Sequence, residues 1–445
     1  MRLSLLDRTL AGTPAGGADR IVSDAETGLA PREAGRIADI GRYLDRNVMI
    51  RTHRQLPAVC ALLALDGIAR RLLLCPPDVK DSQITAIAAE GEVEIILTEA
   101  DFRQSPGEAP FDSPRAPPVD TKWILFTSGT SGFPKLVEHS LESLTAPLSG
   151  VAATGQPIWS TFYDIRRYGG LTILLRALLS GGAMVLSDAD EPVSDFLMRL
   201  GHRRVTHISG TPSHWRRVLM SGAAAAIAPG YIRLSGEISD QGILDRLART
   251  YAGASIVHAF ASTEAGVVFA VDDGKAGFPK SVLEPACSRP EVKIKNGTLR
   301  VRSNATAARY LGSVKRELMD DEGFVDTGDL VALRDGRYFF NGRREGVVNV
   351  GGQKIHPEEV EAIINRHPQV SMSRVWGRGN PITSTLVAAD IVLAASAANE
   401  DFSRIRGEIL EECRRELRPD KVPTLIKRVD EIATQASGKI DRRHA

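Results

Sequence analysis

Residues 127–135 read Thr-Ser-Gly-Thr-Ser-Gly-Phe-Pro-Lys and follow the apolar run Trp123-Ile124-Leu125-Phe126. Glycines let backbone N–H groups close on an anion, hydroxyls add donors, and the terminal Lys135 neutralises charge. A strand feeding such a loop suits a polyphosphate. It is not a Walker loop, which needs Gly-Lys-[Ser/Thr]; here Pro134 precedes Lys135 and Leu136 follows. Further on come Phe260-Ala261-Ser262-Thr263-Glu264, then Asp326-Thr327-Gly328-Asp329-Leu330, and finally Ser437-Gly438-Lys439-Ile440-Asp441-Arg442. A carboxylate such as Glu264 at a strand's end suits a hard cation, Mg²⁺. An ionised Asp329 can accept from two adjacent hydroxyls, as on a ribose. A lysine on a C-terminal loop can offset charge that develops at a reacting centre. Each has a plainer alternative: a polar surface loop, a helix-capping Thr/Glu pair, an Asx turn, a solvated lysine.

Taken together, these segments resemble the adenylate-forming superfamily: acyl-CoA and aryl-CoA ligases, peptide-synthetase adenylation domains and luciferases. With Ser235-Gly236-Glu237 and the stretch from Gly342-Arg343-Arg344-Glu345 to Gly351-Gly352-Gln353-Lys354, they occur in that family's order and rough spacing from Leu62 to Arg442. The resemblance implies that Thr127, Ser128, Gly129, Thr130, Ser131, Gly132 and Lys135 hold the phosphates of ATP. It places Thr263 at the phosphates, Glu264 on Mg²⁺, Phe260 and Ala261 at the adenine, and Gly236 and Glu237 in an adenine-contacting turn. Asp329 and Arg343 would meet the ribose, Glu345 would be an interdomain hinge, Gly352 would line a thiol tunnel, and Lys439 would be catalytic. The implied reaction is attack of a carboxylate on the α-phosphorus of MgATP, giving acyl-AMP and pyrophosphate, then transfer to a thiol. CoA is the first choice of acceptor. The alternatives are the phosphopantetheine arm of a carrier protein and, from a different class, an inactive nucleotide-binding scaffold.

The segment 161–170 matches the family's acid-pocket region loosely. It offers Tyr163, Asp164, Arg166 and Gly170 as candidates for the acid site, with Arg166 and Arg167 paired at the surface as the alternative. Departures from the family pattern are Ala433 for proline, Leu136 for glycine, Leu141 for histidine, and Glu345 where Asp or Lys is usual. Residues 1–126 precede the phosphate loop, fewer than in relatives, which implies a trimmed N-terminal region.

The 445 residues predict two or three domains at ~150 residues each. A content of 43% hydrophobic and 25% charged residues is that of a globular chain with a large core. The formal charge of +1 gives no electrostatic case for nucleic acid or an anionic membrane. Cys60, Cys75, Cys287 and Cys413 are scattered without a Cys-x-x-Cys, the pattern of reduced structural thiols. With no export signal and no apolar stretch near the ~20 residues a span requires, the reading is a soluble, cytoplasmic protein. The family leaves room for a homodimer.

The positioning elements follow from periodicity. Helices are expected over 31–46, 58–69, 81–90, 171–179 and from a Ser239 cap to about 252. Strands are expected over 71–75, 93–97, at Trp123, and over 183–186 and 255–258. The alternation predicts an α/β fold with a largely parallel sheet. From about 285 short strands dominate, and Asn296-Gly297 between 292–294 and 299–301 is a hairpin signal. The last hundred residues form a small unit of strands 347–350, 373–376 and 386–392 and helices 358–365 and 402–417. The fold class is therefore α/β: a large N-terminal domain of stacked α/β subdomains plus a β-rich part (1–342), and a small mobile α+β C-terminal domain (343–445).

Overall fold

The computed structural model describes residues 4–11, 22–29, 37–102, 119–127, 133–148, 156–285, 289–312, 317–350, 353–380 and 384–442. Two sheets sandwich the main core. The six-stranded sheet runs in the order Arg309–Leu311, Lys135–Ser140, Lys122–Thr127, Arg71–Leu74, Asn47–Ile50, Ile95–Leu97. The eight-stranded sheet is built on the parallel strands Ser255–Ser262, Tyr231–Ser235, His207–Gly210, Ile158–Thr161 and Ala183–Leu186. The helix Gln55–Leu65 has no polar face and is buried at nearly every position. That composition requires a helix covered on all sides. It packs with the Tyr168–Ser180 helix between the sheets, in a cluster that includes Leu72, Trp123 and Leu125 from one sheet and Trp159, Met184 and Leu186 from the other.

A five-stranded antiparallel sheet follows, containing Val325–Arg334 and Arg337–Arg343. Its hairpin Glu291–Lys295/Thr298–Arg302 turns on Asn296 (φ 54°) and Gly297 (φ 76°), the two left-handed residues a tight hairpin turn needs. The C-terminal unit pairs Val370–Asn380 with Ser384–Leu393 and adds Leu425–Arg428 in parallel. The helices Pro357–Ile364 and Phe402–Glu416 complete a separate apolar core around Val360, Ile391 and Ile409. The large N-terminal and small C-terminal parts of an α/β chain are thus present. Among the described residues, no helix is long and apolar enough to cross a membrane.

Some local expectations change. Within the described part of 31–46, only a 3₁₀ turn, Ile40–Tyr43, forms. The helix Gln241–Thr250 is capped by Asp240, whose carboxylate accepts from Ile243 N at 3.1 Å, and not by Ser239. Asp240 has further duties: it pairs with Arg216 and accepts from Asn365 Nδ2 at 3.2 Å, tying the C-terminal unit to the large domain. The 255–258 strand extends to Ser262, which brings Thr263 and Glu264 to a β-turn at its tip.

Candidate active site

Strands Lys122–Thr127 and Lys135–Ser140 are antiparallel partners, and their register closes at Thr127↔Lys135. Thr127 and Lys135 therefore face each other where the two strands of this hairpin end. Ser128, Gly129, Thr130, Ser131 and Gly132 lie outside the described residues, as does Gly352. The Lys135–Ser140 strand of the hairpin meets the tip of the Ser255–Ser262 strand. His139 makes that junction: its Nε2 donates to Thr263 O at 2.7 Å and its Nδ1 lies 2.9 Å from Ser143 Oγ. Burial pushes the His139 pKa down to about 4, so the ring is a neutral strut at ordinary pH.

Thr127, Lys135, Tyr163, Gly236, Glu237, Phe260, Ala261, Thr263, Glu264, Asp329, Arg343, Glu345 and Lys439 all line one cleft of about 1680 Å³ between the two parts of the chain. Residues separated by some three hundred positions in sequence thus share one wall. The Tyr310 hydroxyl donates to Glu264 Oε1 at 3.3 Å, and Lys135 Nζ sits 5.7 Å above the same ring. Phe260 lies nearly parallel to Phe340, at 5.0 Å between centroids, which gives the cleft an aromatic wall. Asp329 N is held by Thr327 Oγ1 at 3.1 Å, and Arg343 Nε lies 3.5 Å from its carboxylate. Burial raises the Asp329 pKa, with Arg343 opposing.

Lys439 enters from the C-terminal unit. Its loop is pinned by Thr211, whose hydroxyl donates to Gly438 O at 2.8 Å, and by Glu237, which accepts from Ile440 N at 2.9 Å. A Cβ on Gly236 would lie 3.7 Å from Lys439 Cε, so the lysine stem crosses that turn. Burial lowers the Lys439 pKa and Arg343 adds to this, while Glu237 and Asp329 oppose it. Partial desolvation beside the carboxylates of Glu237 and Asp329 strengthens the action of a charge there on a neighbour.

Three sequence expectations meet different surroundings. Glu237, expected at the adenine, bonds Ser213 N at 3.0 Å with its other oxygen, so it links the N-terminus of the Pro212–Met220 helix to the lysine loop. Asp164 and Arg166 do not line the cleft. They pair at 2.5 Å, and the almost fully buried Arg166 also binds the carbonyls of Thr52 and His53. Gly170 is a packing residue, since a Cβ there would fall 2.2 Å from Asp164 O. Of this group only Tyr163 faces the cleft, with its hydroxyl donating to Ser235 O at 2.7 Å. His139, Tyr310 and Thr211 were not anticipated, because each acts through a partner far away in sequence.

The AMP-binding enzyme family model matches residues 59–311, more than half of the chain, and the model of the AMP-binding enzyme C-terminal domain matches 359–439. A 2-succinylbenzoate–CoA ligase of Bacillus velezensis is 25% identical over 73% of this chain and 68% of its own length. An acetyl-coenzyme A synthetase of Penicillium chrysogenum is 26% identical over 73% of this chain, which spans 53% of that relative. Among solved structures, the anthranilate CoA ligase AuaEII in complex with anthranoyl-AMP superposes with a TM-score of 0.81 at 17% identity, covering 98% of this chain and 95% of its own. A benzoate CoA ligase from Burkholderia xenovorans gives 0.79 at 16%, covering 99% of each chain. The similarity to these structures concerns the fold; the matched models give the family, and the chain belongs to the AMP-binding enzymes.

Proposed function

We propose that this protein is an AMP-forming acid–thiol ligase. It joins a carboxylic acid to the α-phosphorus of ATP, releases pyrophosphate, and passes the acyl group to the thiol of CoA. The observation that carries the reading is Lys439, partly buried and delivered by the C-terminal unit into the cleft that Lys135, Glu264 and Asp329 also line. In the first step a carboxylate oxygen bonds to the α-phosphorus as the bond to the pyrophosphate oxygen breaks. The chain contributes position and charge, as phosphoryl-type transfers require. Lys439 offsets the negative charge shared by the acid and the α-phosphate. Lys135 and the hairpin loop hold the outer phosphates. Asp329 accepts from the ribose hydroxyls, and the Phe260/Phe340 wall takes the adenine.

Among the described residues no cluster of three or more acidic, histidine or cysteine side chains forms a metal cage. Mg²⁺ needs none when phosphates supply most of its ligands, and the hard oxygens of Glu264 fit that sparse arrangement. A bound Mg²⁺ would neutralise phosphate charge there. In the second step the thiolate sulfur bonds to the acyl carbon, AMP leaves, and the thiol proton passes to solvent. The CoA-ligase relatives support CoA as acceptor. The hinge is Glu345, dividing 1–342 from 343–445.

The test is ATP–pyrophosphate exchange with a panel of carboxylic acids, followed by acyl transfer offered CoA or a phosphopantetheinylated carrier. Acid-dependent exchange and CoA thioester formation are the expected outcome. Absence of exchange with every acid would sink the reading, and transfer to the carrier alone would replace CoA as acceptor.

A further inference from the structure

Lys135, Val137 and His139 alternate with Leu136, Glu138 and Ser140 along one strand, so they share a face of the six-stranded sheet. On the next strand Tyr310 is the register partner of Val137 and therefore joins that face. Val137 and Tyr310 pack there in one apolar cluster with Ala265. Ala265 belongs to the turn that carries Thr263 and Glu264 between two strands of the eight-stranded sheet. Lys135 and Glu264, the groups that the proposed reaction sets on the phosphates and on Mg²⁺, thus come from different sheets. What holds one against the other is this face.

Three hydrogen bonds fasten the turn to it. His139 Nε2 donates to Thr263 O at 2.7 Å, Ala307 N donates to Glu264 O at 2.9 Å, and the Tyr310 hydroxyl donates to Glu264 Oε1 at 3.3 Å. Ala308 N in turn donates to Glu138 O at 2.8 Å, so the chain leading into Tyr310 is tied to both sides. His139 is fully buried, and a carbonyl can only accept, so the ring carries its proton on Nε2 and leaves Nδ1 to accept from Ser143 Oγ. Tyr310 touches both functional groups at once. Its ring lies 5.7 Å beneath Lys135 Nζ while its hydroxyl holds the Glu264 carboxylate.

We propose that His139 and Tyr310 are positioning residues that fix the Glu264 carboxylate at one spacing from the Lys135 ammonium, so that Mg²⁺ and the outer phosphates of ATP are received together. This rests on the ligase reading for the roles of Lys135 and Glu264. A partner that orients a metal-binding carboxylate typically accounts for a tenfold to hundredfold share of metal affinity.

The experiment is calorimetric titration of ATP over a series of Mg²⁺ concentrations with no acid present, which reads binding apart from turnover. It uses wild type, Tyr310→Phe, His139→Phe and His139→Gln, with Glu264→Gln as reference. The Mg²⁺ midpoint for ATP binding should rise about tenfold in Tyr310→Phe and in His139→Phe. His139→Gln, whose amide can still donate to Thr263 O, should restore most of it. Tyr310→Phe keeps the ring beneath Lys135, so its ATP affinity at saturating Mg²⁺ should match wild type. That variant also keeps the test open if His139→Phe does not fold. An unchanged midpoint in Tyr310→Phe beside a displaced one in Glu264→Gln would overturn the inference. So would a wild type that binds ATP equally well with and without Mg²⁺. The expected shifts in a protein that exchanges pyrophosphate with no acid would sink the ligase reading alone.

Discussion

At the scale of single residues, the site divides into groups that meet substrate and groups that hold those in place. In the proposed reaction Lys439 belongs to the first kind, and its value depends on where it sits. In solvent an ammonium is screened, whereas here it is partly buried in the cleft and feels the charges of Glu237, Asp329 and Arg343. Replacing it with alanine should lower acid-dependent pyrophosphate exchange by about a hundredfold to a thousandfold, the range for removing one preorganised charge donor. Thioester formation from supplied acyl-AMP should change only slightly, because that step needs no charge at the α-phosphate. An equal fall in both half-reactions would contradict this division of labour. The holding groups explain what the sequence concealed. Lys135, Glu264, Asp329 and Lys439 could be recognised because their residue types carry the chemistry and their flanks are distinctive. His139 and Thr211 are ordinary residues whose partners, Thr263 and Gly438, lie 124 and 227 positions away. Arg166 could be read as surface or as acid pocket, and the contact with Thr52, 114 positions earlier, made it neither.

At the scale of elements, the lysine loop shows how tightly one turn can be specified. Gln435 and Lys439 close it by a 2.8 Å backbone bond, and Gly438 sits at φ 75°, where side chains are strained. A Cβ on Gly438 would also fall 1.8 Å from His214 Cε1. That ring cannot retreat, since it stacks on Phe162 at 5.2 Å and accepts from Thr211 N. Gly438→Ala should therefore keep Lys439 out of the cleft without touching its chemistry. It should reproduce the Lys439→Ala phenotype in pyrophosphate exchange, with thioester formation from acyl-AMP preserved and the melting temperature nearly unchanged. Retention of full exchange would show that the loop docks in another way. Helix and strand positions were mostly legible from periodicity, as for Asp81–Glu90 and Ala183–Leu186. The helix expected over 31–46 does not form in its described part, where Asp39 and Asp45 adopt positive φ, which a continuous helix does not allow. Asp240 displaced Ser239 as a cap, and its carboxylate also meets Arg216 and, across the interface, Asn365. Strand order in the two large sheets had no local signature, since parallel partners are set by packing over long separations.

At the scale of the whole molecule, the function proposed here needs the C-terminal unit to dock for adenylation and to turn away for thiol transfer, a hinge-type switch. On that proposal, release of the docked unit would be linked to Glu358, in the first turn of the Pro357–Ile364 helix. Its Oε2 and the Nδ1 of His356 are buried without partners, close against Gly342, where a Cβ would lie 2.5 Å from that oxygen. Burial pushes the Glu358 pKa up to about 7; Glu361 and Asp329 act in the same direction, and Arg442, 3.5 Å away, opposes them. The half-buried neighbour His356 has its own pKa lowered by desolvation, with Glu359 opposing. Because the docked pKa lies above the ordinary carboxyl value, docking is most favoured where Glu358 is protonated and loses that advantage as pH rises through about 7. Ionised Glu358 therefore favours rotation, which exposes it to water. Between about pH 5 and about pH 7 the ratio of pyrophosphate exchange to thioester formation from supplied acyl-AMP should fall in the wild type, and it should level off above that. Glu358→Gln, neutral throughout, should flatten that dependence and hold the ratio near its low-pH value. Superimposable profiles for the two proteins would show that ionisation of Glu358 is not coupled to docking.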